Sequence, residues 1–253
     1  MKQRLYLLWL LSRVHLRSSD YRSIFGIFWS FTGPLITFFV FYLVFQDPFG
    51  RRIPLYSLKL LTGVIAVTFF NQCAQLCIQS VQYSRNLLMV SLVPASAVIF
   101  SPLSTAFCRV AAGLALCLII AAVHGLLTLK TIPLIVIYFF LLCLFASGVG
   151  LIIGTLSVLA SDAGEIWLAL SPLVIFVTPV FYSLDMLSKW SAPAIAWLNP
   201  LSAYILVLQT ALSDQPVPGM NLWVYVYPWV SSGLFLSAGW LFYKKFQKHL
   251  LEI

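Results

Sequence analysis

The sequence predicts an all-α membrane protein: six transmembrane helices, an N-terminal interfacial amphipathic helix, and two short outer helices between spans five and six. Three observations carry that expectation. The 253 residues are 61% hydrophobic and 9% charged, whereas soluble domains are about 45–50% apolar and about 25% charged; a soluble fold of this size could not enclose so much apolar surface. Six stretches reach the roughly 20 apolar residues that cross a hydrocarbon core. The basic residues divide unevenly between the two sides those stretches define. Aromatic residues, at 15%, exclude a disordered chain.

The chain reads as a single transmembrane domain over residues 1–253. Residues 1–23 begin like a secretory leader, with Lys2 and Arg4 before an apolar run at 5–11. That run is short, and Ser12, Arg13, His15 and Arg17 follow with no small-residue cleavage site, so the segment is expected to be retained. Arg13, Arg17 and Arg22, interleaved with Leu5, Leu8, Trp9 and Leu16, predict a helix lying in the inner interface with its arginines toward phosphate headgroups. Spans one to five fall within 24–184, at 24–45, 60–81, 110–129, 133–159 and 166–184. Residues 185–221 contain apolar pieces at 192–198 and 201–212, broken at Asn199-Pro200, and predict two short helices that cap the bundle or gate it. Each is too short to cross, so they lie at the outer surface or re-enter. Span six covers 222–243, with aromatic residues at both ends, and 244–253 is a tail.

An even number of spans puts both termini on one side. That side carries ten basic residues, including Arg85 and Arg109 near the inner mouths; the other carries five, namely Arg51, Arg52, Lys59, Lys130 and Lys189. The positive-inside rule therefore places both termini in the cytoplasm. The net charge of +8 reads as topology and attraction to anionic lipids, not nucleic-acid binding.

The chemistry that is missing narrows the function. The sequence has no GxxxxGK, no GxSxG and no HExxH. Its seven acidic residues all fall at span ends or in loops, which disfavours an ion-coupled carrier and a metal-dependent membrane enzyme. No catalytic residue, metal site or cofactor is expected. The five cysteines form no CxxC pair and read as buried thiols. Gly150 and Gly154 in span four permit close helix packing. Arg109 sits either at the inner interface or buried beside a partner, depending on where span three starts.

The unusual polar feature lies in span two: Asn71, Gln72, Gln75, Gln79 and Gln82. Spacings of 3, 4 and 3 put the four glutamines on one helix face. Amides facing lipid are costly, so this face looks at protein or at water. It is either polar glue between helices, the wall of a path for a hydroxyl-rich solute, or both at a subunit interface.

The order of parts resembles the membrane subunit of ABC-2 type polysaccharide exporters, which move O antigen, capsule or teichoic acid. Tyr21-Arg22-Ser23, Gly26, Trp29 and Pro34 are similar to that family's start of span one, and Phe69-Phe70-Asn71 to a segment of span two. Asn86-Leu87 and Pro94 resemble its ATPase-contacting loop. Pro179-Val180-Phe181-Tyr182 and Leu198-Asn199-Pro200-Leu201 resemble signatures flanking the short outer helices. Where members often carry lysines after span two, this chain has Leu88-Met89-Val90-Ser91, and Ser161-Asp162 where they often have Arg-Asp.

The resemblance implies a non-enzymatic permease in the bacterial cytoplasmic (inner) membrane, a homodimer paired with a separate ATP-binding-cassette ATPase, and a lipid-linked glycan as cargo. Its candidate substrate path is Phe69, Phe70, Asn71, Gln72, Gln75, Gln79, Gln82 and Tyr182, since amides suit sugar hydroxyl edges and rings suit their C–H faces. Arg85, Asn86, Leu87, Leu88, Pro94 and Asp162 are the candidate coupling residues. A permease for a drug, lipid or other small solute, or a non-translocating assembly subunit, are the alternative readings.

Overall fold

The computed structural model describes residues 28–88, 131–160, 162–188, 198–213 and 222–246, with isolated positions between 114 and 126 and Ile195. Among these residues there are helices and turns and no strand. In chain order the helices are α1 (Phe28–Phe45), α2 (Tyr56–Leu88), α3 (Thr131–Leu159), α4 (Asp162–Leu170), α5 (Val174–Val177), α6 (Pro200–Ser213) and α7 (Leu222–Phe246). Two contain stretches long and apolar enough to cross a membrane: Tyr56–Gln82, of mean hydropathy 1.5, and Thr131–Leu159, of 2.6. The expected interfacial helix with Arg13, Arg17 and Arg22, the inner segment with Pro94, and Arg109 lie outside the described residues. So do the side chains of Arg85, Asn86, Leu87 and Leu88.

α3 is the centre of the bundle and packs against α2, α6 and α7. Small residues set those distances. A Cβ on Gly150 would lie 2.6 Å from the Ala74 carbonyl oxygen of α2, and one on Gly148 only 2.4 Å from the Phe235 backbone of α7. Gly239 answers from the other side, its Cβ position 2.6 Å from the Gly148 carbonyl oxygen. Backbones in such contact exchange dispersion energy that larger side chains would forfeit. Pro228 interrupts the backbone ladder of α7. Beside it, the Tyr225 carbonyl accepts the Tyr138 hydroxyl at 2.8 Å, and the Pro228 carbonyl accepts the Tyr204 hydroxyl at 2.8 Å.

α6 is enclosed by its neighbours. Residues 201–209 are buried without a break. At 14 residues it is about 21 Å long, too short to cross a bilayer. It therefore enters the bundle rather than resting on it. Asn199 caps it: Oδ1 accepts the Leu201 N–H at 3.1 Å, with Pro200 in the first helical position. The first expected short helix, at 192–198, falls largely outside the described residues.

Two spans differ from expectation. The run at 166–184 is not one helix: α4 gives way at Pro172 to a 3₁₀ turn, Ser171–Leu173, and α5 stops at Val177. Thr178 precedes Pro179 and is extended, with φ −102° and ψ 147°, because the proline ring excludes the helical region for the residue before it. The helical positions before Gly125 end short of residue 129. Gly125, at φ +69°, and Leu126 donate to the Ala122 and Ala121 carbonyls, both at 2.9 Å. That pair of bonds is a Schellman cap, and glycine supplies the left-handed residue it requires.

Candidate functional site: an amide-lined groove along α2

Most exposed side chains of the bundle are apolar. Ile36, Phe39 and Leu43 on α1, Val136 and Phe140 on α3, and Trp229, Leu234 and Leu241 on α7 all point outward, as a surface in contact with lipid requires. α2 is the reverse. Between Leu60 and Val81 every position is buried except Thr68, Asn71, Gln72, Gln75 and Gln79. All five are polar. With Gln82 they form a stripe of repeat 4, 3, 4, 3 from Thr68, running about 21 Å along the helix.

The ends of the stripe bind protein and the middle does not. Asn71 donates to the Ser171 carbonyl at 3.0 Å, which ties α2 to the 3₁₀ turn at the break between α4 and α5. Its Oδ1 is buried and has no partner among the described residues. Gln82 donates to the Ser157 hydroxyl of α3 at 3.1 Å. Gln72, Gln75 and Gln79 make no side-chain hydrogen bond among the described residues.

Gln72 and Gln75 open into a groove of about 560 Å³ between α2, α1 and the broken helix α4–α5. Thr37 and Phe41 of α1 and Trp167, Ile175 and Phe176 of the broken helix form its far wall. One wall is thus amide and the other aromatic and aliphatic. Phe41 contacts Phe176 and Phe181 at centroid distances of 6.0 and 5.8 Å, and Phe45 stacks on Phe181 at 4.7 Å. These rings hold α1 to the segment after α5. The Ser171 carbonyl that Asn71 reaches also accepts the Val174 N–H of the 3₁₀ turn, so α2 is bonded to the chain at the break itself.

Phe69 and Phe70 are buried away from this groove. Phe69 lies 6.0 Å from Phe139 in α3; Phe70 stacks on Phe145 at 5.5 Å and meets the edge of Trp167 at 6.1 Å. Tyr182 is half-buried and donates to the Phe176 carbonyl at 3.4 Å. Asp162 is exposed at the start of α4, where the helix dipole favours a carboxylate. Thr68 extends the glutamine spacing and is readable from the sequence on that ground. Phe41, Trp167 and Phe176 are not, since such residues serve equally well against lipid. No group of three metal-ligating side chains occurs among the described residues, and Cys73, Cys77, Cys117 and Cys143 are buried free thiols.

Residues 6–212 match the family described as ABC-2 type transporter. The chain belongs to that family. Two relatives, each named O-antigen export system permease protein RfbA and each from Klebsiella pneumoniae, are 26% identical to it over 204 residues. The alignments cover 73% of this chain and 71% of each relative. Membership in the ABC-2 family makes this a membrane transporter chain and implies an ATPase subunit as partner. The groove, the broken helix beside it and all of α6 but its last residue lie within the matched residues.

Proposed function

We propose that this ABC-2 chain is the permease subunit of an ATP-driven exporter that moves a lipid-linked polysaccharide across the bacterial cytoplasmic membrane. In this reading it has six spans and cytoplasmic termini, and it works as a homodimer on a separate ATPase dimer. The observation that carries the proposal is the α2 stripe: in a bundle whose exposed side chains are mostly apolar among the described residues, the partly exposed positions of the central stretch of α2 are all polar. Amides without a partner among the described residues offer both donors and acceptors to sugar hydroxyls. The facing wall of Phe41, Ile175 and Phe176 suits the C–H faces of sugars and the lipid that carries them. The names of the two relatives favour a glycan over a small apolar solute.

Gln72, Gln75 and Gln79 are the proposed path residues, while Asn71 and Gln82 hold the helix that presents them. Phe69, Phe70 and Tyr182 contribute by fixing α2 and the turn after α5. Energy enters through residues 84–96, where Arg85, Asn86, Leu87 and Leu88 form the last turn of α2 and Pro94 lies further along the sequence, and through Asp162 at the start of α4. A force on the end of α2 would move the stripe as a unit, since α2 is one continuous helix of 33 residues.

The test is the double variant Gln75→Leu/Gln79→Leu. Export of the glycan should fall severalfold while the chain still assembles with its ATPase. Cysteines placed at 75 and 79, in a background with Cys73 and Cys77 changed to serine, should react with a water-soluble thiol reagent. Normal export by the double variant, together with unreactive cysteines, would leave helix packing as the role of the stripe.

A further inference from the structure

The turn joining α1 to α2 forms a second recess, separate from the groove. It includes Gln46 and Gly50 at the two ends of the π-helical turn Gln46–Gly50 and encloses about 390 Å³. Arg51 and Arg52 line it, are exposed, and form no ion pair among the described residues. Tyr56 also lines it and is only 5% exposed, yet its hydroxyl is buried with no hydrogen-bond partner among the described residues. Gln46 Oε1 is in the same condition. Its carboxamide rests over Gly50, where a Cβ would stand 2.6 Å from Oε1, so glycine at 50 makes the space it occupies. Asp47, the one acidic residue of the turn, does not line the recess.

Buried polar atoms are paired in more than about nine cases in ten. A donor and an acceptor left unpaired in one recess, beside two guanidinium groups, form a set with a definite complement. The guanidinium groups favour anionic oxygens, which arginine takes in forked pairs, and the hydroxyl can donate to one of them. The amide oxygen requires an N–H or O–H. The recess sits where two apolar helices end, the depth at which lipid phosphates lie.

We infer that this recess binds a phosphate ester bearing a neighbouring O–H or N–H donor. Arg51, Arg52 and Tyr56 take the phosphate oxygens, and Gln46 takes the donor group. Two sources share that chemistry: a phospholipid headgroup entering from the bilayer, and a sugar phosphate arriving from water. The inference rests on the turn alone and stands or falls independently of the transported cargo.

The full-length chain in phosphatidylcholine nanodiscs tests it, with thermal melting followed as dihexanoylphosphatidylglycerol, glucose 1-phosphate or inorganic phosphate is added. At least one ester should raise the melting temperature in a saturable way. The Arg51→Gln/Arg52→Gln variant should weaken that binding at least tenfold, and Tyr56→Phe at least threefold. Ligand-free Tyr56→Phe should melt at the same temperature or higher, since it deletes a hydroxyl that has no partner among the described residues. Binding of the phospholipid alone assigns the recess to headgroups; binding of glucose 1-phosphate assigns it to glycosyl phosphates. The inference is overturned if no probe binds, if the arginine and Tyr56 variants bind as well as the parent, or if inorganic phosphate binds as tightly as both esters. A lower melting temperature for ligand-free Tyr56→Phe would overturn the part given to Tyr56.

Discussion

Asn199 joins two helices that stop short of a full span, α5 and α6. Its Nδ2 donates to the Val177 carbonyl at the end of α5 at 3.3 Å, while its Oδ1 caps α6. One side chain therefore meets orphan backbone groups at two helix ends. We predict that Asn199→Ala lowers stability by about 1–2 kcal/mol. Asn199→Asp keeps the cap and loses the donor to Val177, so it should fall between the two. Denaturation midpoints in detergent micelles decide it; equal midpoints for all three would mean that the side chain bears no share of the linkage.

The contact between α3 and α7 predicts a sharp contrast among glycines. Gly148→Ala and Gly239→Ala each place a methyl within 2.6 Å of backbone across the interface, an overpacking that costs about 1–3 kcal/mol. Gly233→Ala, on the same helix as Gly239 but with nothing within 4 Å of its Cβ position, should be neutral or slightly stabilising. Expression level and size-exclusion profile of the three variants provide the check, and a well-behaved Gly148→Ala protein would refute the close approach.

Tyr204 is fully buried and bonds both the Pro228 carbonyl and, at 3.0 Å, the Ser231 hydroxyl. Tyr204→Phe should cost about 0.6–1.7 kcal/mol, the range for polar contacts between membrane helices. Tyr138→Phe, which loses the single bond to the Tyr225 carbonyl, should cost no more than Tyr204→Phe. Unfolding midpoints measured side by side give the order.

The stripe predicts two kinds of failure. Asn71→Leu removes the bond to Ser171 and should destabilise the α2–α4 junction by about 1 kcal/mol. Gln75→Leu removes no bond among the described residues, and its effect should appear in export while the melting temperature stays within about 1 °C of the parent value, since substitutions away from packed or bonded positions are usually near neutral. The reverse pattern would assign the middle of the stripe to packing.

Orientation is open to a direct check. Reporter fusions at Met1 and Ile253 should both report the cytoplasmic side, following the bias of ten basic residues to five. An outer-side signal from both would invert the topology, and signals on opposite sides would exclude six spans.

The existence of the long helices is legible in the sequence because an apolar run of span length has few other uses. The glutamine face is legible because its spacing matches a helix and its chemistry contradicts lipid. The end of the fifth run is misread for the same reason the others are read well. Hydrophobicity from Ile166 to Leu184 records compatibility with an apolar surrounding, not continuity of the backbone, and Pro172 and Pro179 decide the latter. The burial of α6 is illegible since a 14-residue apolar helix serves an interface and a core alike; its place depends on α2, α3 and α7. The far wall of the groove depends on which ring of several faces inward, and packing between residues distant in sequence sets that.

The hydrogen bonds at the two ends of the α2 stripe bear on how the chain is made. The partners of Asn71 and Gln82 lie 100 and 75 positions further along. At translation rates of about 5–20 residues per second, they appear on the order of ten seconds after α2 itself. Through that interval Asn71 and Gln82 lack the partners they have in the folded chain, and at a mean hydropathy of 1.5 against 2.6 for α3 the helix is the poorer solute for lipid. α2 is thus suited to linger at the protein-lined exit of the insertion machinery until α3 and α4 emerge, so that it enters the bilayer together with the segments that follow it instead of alone.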